Sequence, residues 1–184
     1  MSADDFTEHQ IDSEQVYDGR LLKVFKDRVR LSDGHETTRE YIKHPGAVAI
    51  LALLPDGKLL MERQHRYPHH RDFIEIPAGK IDPGEDILDT AKRELREETG
   101  YAAQEWRHLT TIHPLIAYSD EIIEIFLARG LTGGERKLDP GEFLEVLEVE
   151  PQQALQWVRE GKVSDVKTVI GLFWLEKISR GEWK

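Results

Sequence analysis

Residues Ala47 to Leu54 read AVAILALL, an unbroken apolar run introduced by Pro45-Gly46 and ended by Pro55-Asp56-Gly57. A strand with one wet face alternates apolar and polar residues. This one does not, so it predicts a strand buried on both faces at the centre of a sheet. Each face then needs a covering layer, and the helical patterns later in the chain can supply them. A length of 184 residues suits one domain with a sizeable core and a small N-terminal piece.

A second stretch, Gly79 to Tyr101, reads GKIDPGEDILDTAKRELREETGY. Ile87, Leu88, Ala91 and Leu95 fall at helical spacing and predict a face that docks on the sheet, and Gly100 is placed to end the helix in the left-handed conformation. Glu94 and Glu98 stand one helical turn apart, so both carboxylates project from one side with their oxygens close. Like charges so placed weaken a helix by a few tenths of a kcal/mol unless a cation sits between them. A hard, oxygen-seeking metal such as Mg²⁺ is the natural occupant. The bland alternative is a solvated acidic face in which Arg93, Lys92 and Arg96 make ordinary surface pairs.

The stretch resembles the Nudix hydrolase signature, G-x5-E-x7-R-E-U-x-E-E-x-G-U, where U is a bulky aliphatic residue. Gly79, Glu85, Arg93, Glu94, Leu95, Glu97, Glu98 and Gly100 match in register, and only Tyr101 departs. The resemblance implies an α/β/α sandwich with a mixed sheet. It makes Glu94 and Glu98 the main metal ligands, Glu97 a further ligand or a supporting group, and the carbonyl of Ala78 the completion of the site. Arg93 would anchor the helix carboxylates and Glu85 would support the loop.

Composition narrows the chemistry. Without cysteine there is no disulfide, thiolate metal site or cysteine nucleophile. A formal net charge of −10 argues against binding nucleic acid or an anionic membrane. An anionic substrate must then be drawn in by local Arg, Lys and metal charge. No apolar run reaches membrane-span length, and the acidic N-terminus is unlike a secretory leader, so a cytoplasmic location is expected.

Taken in order, residues 1 to about 13 show no periodicity and read as a frayed end. Strands are expected within Gln15–Leu31 and over Thr37–Lys43, joined at Ser32-Asp33-Gly34. Lys58–Arg63 is expected to pair back on the apolar strand. A polar loop over Gln64–Asp72 would carry Arg66 towards an anionic substrate, and the adjacent His69 and His70 diverge too much to make a zinc site. Phe73–Ile76, Trp106–His113, Glu121–Ala128 and Phe143–Val149 read as further strands. Between two of these, Pro114–Glu121 would return the chain beside the signature helix. Gly130–Gly141 reads as a long functional loop. A helix is expected from Pro151 to Gly161. A final helix capped by Ser164-Asp165 would bury Val166, Val169, Ile170, Phe173 and Trp174.

Over most of its length the chain is also similar to ADP-ribose pyrophosphatases, through REYIKHPGAVAIL, EIPAGK, SDE and FLEVLEV. That resemblance implies hydrolysis of ADP-ribose to AMP and ribose 5-phosphate, with Mg²⁺ or Mn²⁺. It gives Glu142 a role on the catalytic water or a metal, and Arg66 a phosphate contact. Arg39 and Glu40 would meet adenine across a homodimer interface, and Glu121 the terminal ribose. Residues 1–44 would then be a dimer-forming β extension and 45–184 the hydrolase domain. One departure bears on substrate: Ile116 stands where the subfamily usually has proline. The alternatives are another nucleoside diphosphate sugar or dinucleotide as substrate, or a module that senses ADP-ribose without turnover.

Overall fold

The structure, a computed structural model, describes residues 6–138 and 140–184. It contains two compact units. One is the N-terminal segment through Pro45 together with Leu115–Ile122; the other is Gly46–Pro114 with Ile123–Lys184.

In the first unit, β1 (His9–Asp18), β2 (Lys23–Arg30) and β3 (Glu36–Lys43) form an antiparallel sheet in that order. The β2–β3 turn is the expected one, with Gly34 at φ 93°. The frayed end is corrected over residues 9–13. Nearly every side chain of β1 is exposed, so no apolar alternation betrays it, yet its backbone pairs with β2 from His9 onward. Residues 1–5 of that expectation lie outside the described residues. The segment Leu115–Ile122, set beside the signature helix by the sequence pattern, instead pairs with β3. Ile42 N–H donates to Tyr118 O at 2.9 Å and His44 N–H to Asp120 Oδ1 at 2.7 Å.

The second unit begins with β4 (Ala47–Ala52), β5 (Leu59–Arg66), a single 3₁₀ turn (Tyr67–His69), β6 (Arg71–Glu75), β7 (Ala78–Lys80) and α1 (Ile87–Thr99). It continues through β8 (Tyr101–Ala102), β9 (Glu105–Ile112), β10 (Ile123–Arg129), β11 (Thr132–Gly133), β12 (Leu144–Val149), α2 (Pro151–Arg159) and α3 (Val166–Ser179). A mixed sheet runs β7-β4-β10-β9, with β4 parallel to β10 and antiparallel to β7.

All of β4 is buried, as its apolar run requires. Alternate residues serve opposite layers. Ala47, Ala49 and Leu51 pack with Ala154 of α2 and Leu172 and Leu175 of α3, whereas Val48, Ile50 and Ala52 pack with Ala91 and Leu95 of α1. Each larger side chain so buried stabilises the fold by about 1.5–3 kcal/mol. The expected α/β/α sandwich is therefore present. No helix among the described residues is long and apolar enough to cross a membrane.

Two expectations about the second sheet are corrected. The strand after Pro55-Asp56-Gly57 does not run back along β4, whose neighbours are already β7 and β10; a single Leu53–Leu59 bridge remains and β5 lies between β12 and β6. The polar loop over Gln64–Asp72 contracts to the 3₁₀ turn because β5 and β6 stay paired out to Arg66 and Arg71. Their exposed ends carry polar side chains, which read as loop in the sequence.

Helix α3 shows a different face from the one its pattern predicts. Thr168, Gly171, Leu172 and Leu175 are buried, Val166 and Phe173 are exposed, and Val169, Ile170 and Trp174 pack at the margin. Apolar residues surround this helix, so periodicity does not select a side. Gly171 selects it: a Cβ there would stand 3.3 Å from both Ile76 and Leu51 side chains. The same face carries Thr168, whose Oγ1 accepts from Ile76 N–H at 3.0 Å and donates to Asp165 Oδ2 at 2.7 Å. Thr168→Val keeps the shape but strands the buried Ile76 N–H, so urea unfolding should show a loss of about 1–3 kcal/mol.

Candidate active site

Helix α1 is fixed at both ends by its own sequence. Asp86 caps the N-terminus by accepting from Leu88 N–H at 2.8 Å, and Gly100 ends it at φ 79°. Between them Ala91 and Leu95 dock on the sheet, while Ile87 stays exposed rather than joining that face. The opposite edge carries the charged residues.

Arg93 is the hub of that edge. Its Nε and Nη2 donate to the two oxygens of Glu85 at 2.9 Å each, Nη1 donates to Glu94 at 2.7 Å and Glu97 at 3.0 Å, and Nη2 also reaches Lys80 O at 3.1 Å. Such bidentate, charge-assisted bonding fixes direction as well as energy. The hydrogen bonds from Arg93 are the main reason the Glu85 carboxyl is held down at about 2. Arg93 in turn is raised above the ordinary guanidinium range, chiefly by Glu85. Gly79 completes the cradle: a Cβ there would lie 1.9 Å from the Glu94 carboxyl carbon, so only glycine lets that side chain lie against the loop.

Deeper in, carboxylates gather with little water around them. Glu98, 4% exposed, accepts from Ala78 N–H at 3.0 Å. Burial pushes its carboxyl up, and the charges of Glu62, Glu94 and Glu142 push it further. Glu62 of β5 is raised in the same way, first by burial and then by Glu142 and Glu75. Burial also raises Glu94, against the opposing pull of Arg93. Carboxyls raised by burial and like charge mark sites of chemistry or metal binding.

One flank carries compensating cations. Glu75 receives Arg66 through Nε at 2.8 Å and Nη2 at 2.7 Å, and Lys167 of α3 donates to it as well. Burial alone would raise Glu75, but Arg66 and Lys167 overcome it and hold the carboxyl down at about 2.

The structure thus brings together Ala78, Arg93, Glu94, Glu97 and Glu98, and sets Glu142 and Arg66 within electrostatic reach of Glu98. Arg39, Glu40 and Glu121 belong to the other unit, where Arg39 pairs with Glu8, Glu40 lies 3.8 Å from Lys26 and Glu121 3.8 Å from His44. Sequence reasoning missed Glu62, Glu75 and Lys167. The available clue to Glu62 was its strand parity with Leu60, which points it inward.

Among the described residues no three acidic or histidine side chains stand at common ligand spacing, because Arg93 draws Glu94 and Glu97 to itself. The donor set nevertheless fits a hard divalent cation, since it offers carboxylate and carbonyl oxygens and neither nitrogen nor sulfur. The mutual repulsion of buried carboxylates is what such an ion would relieve.

Comparison with known proteins agrees with this geometry. A family model described as NUDIX domain matches residues 43–169, and one described as Nucleoside diphosphate sugar hydrolase N-terminal domain matches residues 8–42. The ADP-ribose pyrophosphatase of Bacillus subtilis (strain 168) is 42% identical over 171 residues, 92% of each chain. The Methanol dehydrogenase activator of Bacillus methanolicus is 40% identical over 173 residues, 93% of this chain and 94% of its own. A solved structure described as an ADP compounds hydrolase shares the fold, with a TM-score of 0.86 over 97% of both chains at 22% identity. The resemblance carried by the signature is borne out, and the chain belongs to the Nudix family.

Proposed function

We propose that this chain hydrolyses the pyrophosphate bond of ADP-ribose, releasing AMP and ribose 5-phosphate. The observation that carries the reading is the intact signature cluster, with Arg93 tied to Glu85, Glu94 and Glu97 beside the buried Glu98. Similarity to an ADP-ribose pyrophosphatase across 92% of both chains supports the substrate. Members of this family depend on divalent metal ions, and Mg²⁺ is proposed here, with Mn²⁺ as the substitute.

A pyrophosphate bridge resists water because its oxygens are negative. Glu94, Glu97, Glu98 and the Ala78 carbonyl would hold the cation, which when bound neutralises phosphate charge and makes water more acidic. Arg93 keeps the helix carboxylates in place. Arg66, half exposed while its fork rests on Glu75, is directed to a substrate phosphate. Glu142, whose charge acts on Glu94 and Glu98, takes the proton of the attacking water. These local groups work against the overall charge of −10, which repels an anionic substrate.

Residues 1–44 are proposed as the dimer-forming extension and 45–184 as the hydrolase domain. Exposed Phe6, Val16, Tyr17, Leu21 and Leu22 support a homodimer. In it Arg39 and Glu40 would meet adenine and Glu121 the terminal ribose, roles that rest on the family resemblance alone. The cytoplasm is the proposed location.

Ile116, 84% exposed where the subfamily usually has proline, favours a second reading in which the substrate is another nucleoside diphosphate sugar or a dinucleotide. AMP release with Mg²⁺ from ADP-ribose, NADH, ADP-glucose and diadenosine polyphosphates, and GMP release from GDP-mannose, separate the two. The fastest turnover is expected with ADP-ribose. A different preferred compound moves the substrate and keeps the chemistry, and silence across the panel points to a sensor. Glu98→Gln should lower turnover by orders of magnitude while circular dichroism stays unchanged; near-normal activity would sink the metal assignment. Glu142→Gln should lower kcat more than KM, whereas a change confined to KM would make Glu142 a binding residue.

A further inference from the structure

Strand β5 places Glu62 in the middle of its sheet, directly opposite Glu75 of β6. Side chains alternate along a strand, so Glu62 points to the same side as Leu60. Leu60 packs with Ala91 and Leu95 of α1, and Glu98 lies one turn beyond Leu95. Glu62 from the sheet and Glu98 from the helix therefore enter the same space from opposite layers, where the charge of Glu62 bears on Glu98 and both feel Glu142.

The two facing glutamates are treated differently by the protein. Glu75, 5% exposed, receives three hydrogen bonds from Arg66 and Lys167. Glu62, 4% exposed, has a buried Oε1 with no hydrogen-bond partner. An unsatisfied buried polar atom costs about 1–3 kcal/mol, more for a charged one, and is seldom left without a reason. Arg66 and Lys167 hydrogen-bond Glu75, whereas they act on Glu62 through their charge, without a hydrogen bond to its Oε1.

We propose that Glu62, from outside the signature, joins Glu98 as a ligand for a hard divalent cation. The assignment rests on the metal-dependent reading above and extends it. Glu62 is not among the carboxylates that Arg93 holds, so it adds a ligand from the β5 side beside the shared Glu98.

The test is Mn²⁺ binding to the full chain, followed by calorimetry and by the shift in thermal midpoint between EDTA and Mn²⁺. In Glu62→Gln, affinity for Mn²⁺ should fall at least about tenfold or one bound ion should be lost. The midpoint in EDTA should hold or rise, because a repelling buried carboxylate has been neutralised. Its increase on adding Mn²⁺ should shrink. A residue that only packs the core would give the reverse, a lower midpoint in EDTA and an unchanged isotherm, and that result overturns the proposal. Wild-type protein that takes no Mn²⁺ fails the metal reading itself, and this assignment with it. If Glu62→Gln does not fold, Glu62→Asp, one methylene shorter, carries the same comparison.

Discussion

The site depends on carboxylates that the fold forces together and out of water. Two unit charges 4 Å apart interact by about 4 kcal/mol at an effective dielectric of 20, and burial adds a desolvation cost to each. Glu98 feels the charges of Glu62, Glu94 and Glu142, and Glu142 also acts on Glu62 and Glu94. A protein selected only for stability would separate them or make them apolar. That they stay together fits the divalent-metal dependence general to the family, and among the described residues Arg93 on the helix and Arg66 and Lys167 on the β6 side supply positive charge at the edges.

This concentration of charge is tolerable because the scaffold beneath it is apolar on both sides. Strand β4 gives alternate residues to the α1 layer and to the α2–α3 layer, so one strand ties both cores. Helix α1 carries the site and the core on opposite edges of one cylinder. Ala91 and Leu95 hold it down while Arg93, Glu94 and Glu97 line the other side. The position of the carboxylates is thereby set by hydrophobic burial, which is insensitive to the charge they carry.

Much of this was legible in the sequence. The β4 run, the signature helix, the left-handed Gly100 and the Asp165 cap each follow from local chemistry that tertiary contacts do not override. What the sequence concealed was whatever depends on a partner. Strand β1 has no apolar face and is defined by its ladder to β2. The destination of β5 was decided by which neighbours β4 already had. The face of α3 was decided by a glycine against Leu51 and Ile76. Glu62 looked like the polar end of an apolar strand, yet it is buried on the strand that lies between β12 and β6.

The glycine-rich loop shows how backbone proximity carries the signature out to Glu142. At the end of α1, Gly100 takes φ 79°, and a Cβ there would stand 2.8 Å from Gly134 O. Both the conformation and the contact exclude a side chain. The loop strand β11 pairs with β8 just past the helix, and Lys137 N–H donates to Glu97 O at 3.1 Å. The loop is thus sewn to the helix that bears Glu94, Glu97 and Glu98 before the chain reaches Glu142, two residues ahead of β12. The last glycine of the signature therefore does more than end a helix: it lets a second segment of chain lie against the helix terminus, which is how a carboxylate 44 positions beyond Glu98 and 48 beyond Glu94 in sequence joins their field.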